Sequence, residues 1–282
     1  MKTRILSIAY LLIISVLSAC NRTPPQGDPG NGGGSIPDSG ILLRTIQLDK
    51  DLRYEISYNA IRKPLLIKQF LNTQLLAYDS IIYNNQLLQQ VRSYSWSPGK
   101  PVFNFSSFTD IEWKAGDISR KVKYDAVTRK LLEDIRYEYN ASHRLQRLVT
   151  LLPLAGTSTS KWFEYSGENV ILVKDSAGNK LTGYSQGLDY DQHPAYLTDP
   201  VLWYLLVTSD PLHYSQHNPL LSKTARYIQT GTKNDTLVTT SASTYVYNND
   251  KLPSGVTIKS KTTGNGRSDS SSVNLSYSYT SH

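Results

Sequence analysis

From residue 42 onward, apolar and polar side chains alternate with a period of two. Tyr54, Ile56 and Tyr58 alternate with Arg53, Glu55 and Ser57. Ile135, Tyr137 and Tyr139 alternate with Arg136 and Glu138, and Val273, Leu275, Tyr277 and Tyr279 with asparagine and serine. Leu237 to Tyr247 is rich in Val, Thr and Tyr. Alternation built from β-branched and aromatic residues predicts half-buried strands. Gly178-Asn179, Gly231 to Asp235 and Gly264-Asn265-Gly266 separate such runs and supply the positive φ angles of tight hairpins. The prediction is a single all-β domain over 41–282: a long antiparallel meander forming a curved sheet or an open barrel-like half-pipe. One segment departs from the period. In Thr198-Asp199-Pro200-Val201-Leu202-Trp203-Tyr204-Leu205-Leu206 the apolar residues are continuous, Asp199 can cap and Pro200 can open a helix. A short helix is expected near 199–207.

Marking the tyrosines exposes a repeat. Tyr58-Asn59, Tyr83-Asn84, Tyr124-Asp125, Tyr139-Asn140, Tyr190-Asp191 and Tyr247-Asn248 each end or follow an apolar-rich run. Tyr58 to Tyr83 is 25 residues, Tyr139 to Tyr165 is 26 and Tyr165 to Tyr190 is 25. Two strands and two turns fit that period. The tyrosine ring packs on the sheet, and the following Asn or Asp bonds its own backbone to begin the turn.

The first forty residues follow another logic. Lys2 and Arg4 precede an apolar run from Ile5 to Leu17, too short for a permanent membrane span. It ends in Leu17-Ser18-Ala19-Cys20, which resembles the bacterial lipobox. Residues 1–19 are expected to be a signal peptide, and Cys20, the only cysteine in the chain, the lipid-carrying residue. A lone cysteine forms no internal disulfide, so the fold must stand on its own core. Residues 20–40 are Pro- and Gly-rich and read as a solvated tether. Gly32-Gly33-Gly34 lies there without the Lys-Ser/Thr pair or preceding strand of a phosphate loop.

Tyr139-Asn140-Ala141-Ser142-His143-Arg144-Leu145 and Tyr124-Asp125-Ala126-Val127-Thr128-Arg129-Lys130-Leu131 resemble degenerate YD repeats, with His143 where glycine is usual. The wider layout is similar to uncharacterised lipoproteins of the Bacteroidetes that have YD-like hairpins and a curved, porin-like sheet. Asp199 to Tyr204, Ser215-Gln216-His217-Asn218-Pro219 and Tyr245-Val246-Tyr247-Asn248 with Pro253 carry that likeness, and His217 departs from the usual asparagine. The resemblance implies a fold and an envelope location but no activity.

Searches for chemistry return little. His213 and His217 have helical metal spacing, but His-Tyr-Ser-Gln-His lacks the glutamate a zinc hydrolase needs as its base. On a regular strand Asp189, Asp191 and His193 would share one face, as metal ligands could; otherwise Asp191 is simply the turn residue of its repeat. No Gly-x-Ser-x-Gly elbow exists, and the one cysteine is committed to lipid. No catalytic residue, metal or cofactor is therefore assigned. Losing Lys2 and Arg4 with the signal peptide lowers the formal charge from +7 to +5. The remaining cations are scattered; Arg120-Lys121-Val122-Lys123 fits a solvated sheet edge better than a nucleic-acid stripe. Twenty tyrosines and four tryptophans are the remaining oddity. Trp203 and Tyr204, outside the repeat, are the first candidates for ligand binding. Asp79-Ser80-Ile81, Asp175-Ser176-Ala177 and Asp235-Thr236-Leu237 resemble the O-glycosylation acceptor of the Bacteroidetes.

Together these observations point to an outer-membrane lipoprotein, held through the lipid on Cys20, on either the periplasmic or the surface face. It would be a non-enzymatic binding or structural module for a glycan or envelope-protein partner, with no nucleic-acid role. A polysaccharide-acting envelope enzyme is the alternative, and it requires acids converging in a cleft. A transmembrane barrel is disfavoured, because the strands lack a continuous outward apolar band.

Overall fold

The computed structural model describes residues 41–96, 102–195, 212, 215–230 and 233–281. The expected helix near 199–207 lies outside the described residues. The first strands are β1 (Ile41–Leu48), β2 (Leu52–Tyr58), β3 (Pro64–Leu71) and β4 (Gln74–Asn84). Next come β5 (Leu87–Trp96), β6 (Phe103–Lys114), β7 (Asp117–Asp125), β8 (Leu131–Tyr139) and β9 (Leu145–Leu152). A 3-10 turn at Pro153–Ala155 leads to β10 (Thr157–Ser166), β11 (Asn169–Ala177) and β12 (Lys180–Pro194). The chain ends with β13 (His217–Thr230), β14 (Lys233–Tyr247), β15 (Pro253–Gly264) and β16 (Arg267–Ser281). Each strand neighbours the next in chain order and β16 neighbours β1, a closed 16-strand barrel. The all-β antiparallel meander is as expected, and the sheet goes beyond a half-pipe by closing.

By residue contacts the chain forms two compact units. Among the described residues, one comprises 41–162, 176–179 and 276–281, and the other 163–175 and 180–275. In the first, Leu43, Ile46, Ile56, Ile67, Ile81, Val91, Ile111, Ile135 and Tyr137 are buried. In the second, Phe163, Val170, Val173, Val256, Ile258 and Leu275 are. The opposite strand face carries exposed polar side chains in both, beside exposed Trp162 in the first and Val246 in the second. Arg92, Glu112, Arg136 and Glu138 are exposed in the first unit; Thr240, Thr244, Lys259, Lys261 and Asn274 in the second. Charges on a lipid-facing strand surface cost about 2–4 kcal/mol each at mid-membrane, so this open face is built for water.

Four of the six Tyr-Asn/Asp units share a geometry, which Trp113 and Tyr245 also adopt. Tyr58 Oη donates to Leu43 O at 2.6 Å, Tyr83 Oη to Pro64 O at 2.9 Å and Tyr139 Oη to Ile118 O at 3.0 Å. Trp113 Nε1 does the same to Leu88 O at 2.7 Å. In the other unit, Tyr190 Oη donates to Val170 O, and Tyr245 Oη to Pro219 O at 3.5 Å. Each donor sits late on an even-numbered strand, and each acceptor lies within the first three residues of the strand before it. The following Asn or Asp then shapes the turn. Asn140 Oδ1 accepts from Ser142 N and Arg144 N, and Asn248 Oδ1 from Asp250 N and Leu252 N. Asp125 Oδ1 takes Val127 N, Thr128 N and the Thr128 hydroxyl. The turns then need a left-handed residue: Arg62, Arg129, His143 and Lys251 have φ of 65°, 57°, 56° and 60°.

That geometry gives opposite effects for two neighbouring substitutions, read by urea unfolding. Asn248→Ala is expected to lower stability by about 1 kcal/mol, through loss of two side-chain-to-backbone bonds. Lys251→Gly is expected to raise it by about 1 kcal/mol, because glycine carries no left-handed penalty. A loss on Lys251→Gly would show that its side chain matters more than its backbone.

Candidate functional site

Cys20, Trp203, Tyr204 and His213 lie outside the described residues. The Asp189, Asp191 and His193 alternation does not survive folding. β12 slips register against β13 between Gly187 and Asp189, between Asp189 and Tyr190, and between Tyr190 and Pro194. Asp189 Oδ1 bonds the adjacent Tyr190 N at 2.9 Å. Asp191 is a structural hub instead: Oδ1 accepts from His193 N and Asn218 N, both at 3.1 Å. Its Oδ2 accepts from Asn218 Nδ2 at 3.0 Å and from the Tyr247 hydroxyl. Burial and this carboxylate hold the Tyr247 phenol well above the usual tyrosine range. His193 packs its ring 4.2 Å from that of Tyr247, centroid to centroid. His217 Nδ1 lies 3.1 Å from Asn169 Oδ1. With Asn218 fully buried, the arrangement pins the strands flanking the long β12–β13 connection. No cluster of three or more His, Cys, Asp or Glu suited to a metal occurs among the described residues.

The Arg120 to Lys123 run is not at an edge. β7 lies between β6 and β8, and alternation splits the run between faces. On the open face Arg120 grips Asp134 with Nε at 2.8 Å and Nη2 at 2.9 Å, and Arg136 adds a contact at 3.1 Å. These guanidiniums hold the Asp134 carboxyl below the usual range. On the other face Lys121 is buried, with Nζ 6.0 Å from the Tyr137 ring centroid. Desolvation lowers its ammonium from 10.5 to about 8, against the pull of Glu133 and with the push of Lys123. Asp79 shares the buried face; burial raises its carboxyl, opposed by Ser93 and Lys123. Ser80, beside it on the open face, has Arg92 as its cross-strand partner. The Ser176 hydroxyl is 2.8 Å from that of Ser160.

A feature absent from the sequence reading lies on the open face of β4 to β7. Tyr78 and Tyr94 are cross-strand partners whose rings stack at 4.6 Å and 11°. Phe103 meets Tyr78 edge-on at 5.4 Å, and Phe105 lies 5.3 Å from Tyr94. Phe105 leads to Phe108 at 6.3 Å, and Phe108 to Tyr124 at 5.1 Å. Six rings thus form a continuous strip over four strands, with Phe108 buried within it and the other five part-exposed. A bulge makes this possible. Ser93 pairs with Ser107 while Tyr94 pairs with Phe105, so Ser106 is the extra residue and Phe105 and Phe108 come to one face. Trp96, the cross-strand partner of Phe103, extends the strip and is 37% exposed.

No protein-family model and no curated protein matches the chain. Among solved structures it is similar to a porin-like protein from Bacteroides uniformis ATCC 8492, with a TM-score of 0.53 and 12% identity. The alignment covers 84% of this chain and 98% of that one. At this identity the likeness shows the fold: a porin-like all-β barrel. A TcdB2-TccC3-Cdc42 complex aligns at a TM-score of 0.22 and 9% identity, over 78% of this chain and 15% of that one, and carries no argument.

Lys121 yields a signed pH test. The unfolded chain binds this proton more tightly, so the group's contribution to stability rises as pH climbs from about 8 to 10.5. The stability difference between wild type and Lys121→Met should move in favour of wild type over that window in buffered urea titrations. A difference constant with pH would mean that Lys121 is solvated.

Proposed function

We propose that the protein is a lipid-anchored component of the bacterial outer membrane that acts by binding rather than catalysis, with the aromatic strip of β4 to β7 as its contact surface for a glycan or protein partner. The observation that carries this reading is a chain of six rings in contact, some stacked and others tilted or edge-on, continued by Trp96 on a sheet face that also carries Arg92, Glu112 and Arg136. Clustered aromatics on a solvated face are typical of recognition surfaces. The porin-like fold is compatible with an outer-membrane or envelope location. The water-facing open face supports attachment through the lipid on Cys20 rather than a lipid-embedded barrel. No observation favours the enzymatic alternative: the Asp191 carboxylate is engaged by four donors, and Asp189 Oδ1 accepts from the adjacent Tyr190 N.

Two experiments test the parts separately. Cys20→Ala should abolish incorporation of labelled fatty acid and release the protein from the membrane fraction; unchanged membrane retention would overturn the anchor. A photo-crosslinking residue in place of Trp96, used in living cells alongside a glycan array, should yield a discrete partner that Tyr94→Ser weakens. Silence in both assays would sink the binding reading.

A further inference from the structure

The aromatic strip is bordered by cations. Arg92 is the cross-strand partner of Phe108, and Arg129 Cζ lies 4.8 Å from the centroid of the same ring. Lys68 is the cross-strand partner of Tyr78 at the other end. None of these three pairs with a carboxylate among the described residues. The nearby carboxylates are otherwise engaged. Asp79 faces the core, Asp110 accepts from Gln90 Nε2 at 2.7 Å, Asp125 is tied into its own turn, and Glu55, opposite Lys68, pairs with Arg53 at 3.0 Å. Trp96 makes no ring contact among the described residues and is 37% exposed.

We infer that the strip binds an acidic polysaccharide, with Trp96 stacking on a sugar ring and Arg92, Arg129 and Lys68 receiving its carboxylates. This rests on the reading of the strip as the contact surface and names the chemistry it selects. Three features favour a linear acidic glycan over a protein. Among the described residues the closed sheet offers no edge for strand addition. The rings form one continuous chain of contacts, three of them along β6, in steps of 4.6–6.3 Å that are comparable to the length of one pyranose residue. Guanidinium groups beside the rings match carboxylates repeated along such a polymer.

The test uses the full-length protein in neutral detergent, with polygalacturonate, amylose and anionic phosphatidylglycerol vesicles as probes. Binding to polygalacturonate but not amylose is expected, weakening with salt. The Arg92→Gln/Arg129→Gln double variant should lose about tenfold or more in affinity, the scale of one or two charged hydrogen bonds. Trp96→Ala should lose a similar factor. Unchanged thermal unfolding of each variant shows that the fold is intact. Equal binding of amylose and polygalacturonate, indifferent to the double variant, would overturn the acidic selectivity and leave the binding surface standing. Arginine-dependent binding of vesicles alone, or a protein crosslinked at position 96 with no polysaccharide bound, would overturn the glycan assignment. Loss of every interaction, crosslinking included, would remove the surface itself.

Discussion

One hydrogen bond, repeated, organises this fold. An aromatic O–H or N–H near the end of a strand donates to a carbonyl at the start of the strand before it, at Tyr58, Tyr83, Trp113 and Tyr139 in one unit and at Tyr190 and Tyr245 in the other. Each bond is worth only about 0.5–1.5 kcal/mol net. Its value is positional, since an antiparallel strand that slips by one residue turns its whole apolar set to solvent. The ring fixes where a hairpin sits, and the adjacent Asn or Asp fixes where the next begins.

With register set locally, the two strand faces can take different tasks. One buries aliphatic residues around a few charged groups, Lys121 among them. The other carries exposed charges and hydroxyls, and the rings of β4 to β7 gather on it. A face carrying Arg92, Glu112, Lys259 and Lys261 belongs in water.

Much of this was legible in the sequence. The period of two, the Gly-containing turns and the Tyr-Asn/Asp units are local signals, and the turn chemistry of Asn140 and Asn248 is what their positions predict. Even the unusual His143 finds its explanation, because its backbone occupies the left-handed conformation that glycine prefers. The illegible parts depended on pairing. Phe105 and Phe108 are three apart, so a strict alternation places them on opposite faces; only the bulge at Ser106 unites them. Asp189, Asp191 and His193 fail for the same reason in reverse, since bulges in β12 break a spacing that looked regular. Lys121 reads as an edge residue in the sequence because nothing in its neighbourhood reveals that β7 is flanked on both sides.

The central claim is that the aromatic strip is covered in the cell and uncovered in isolation. Hydroxyl-radical footprinting of intact envelopes against the purified protein tests it most directly, comparing Trp96, Tyr94 and Tyr78 with Trp162, which is 42% exposed and lies off the strip. The account predicts that the three strip residues are protected in envelopes and that Trp162 oxidises equally in both. Equal oxidation of the strip in the two preparations would contradict it.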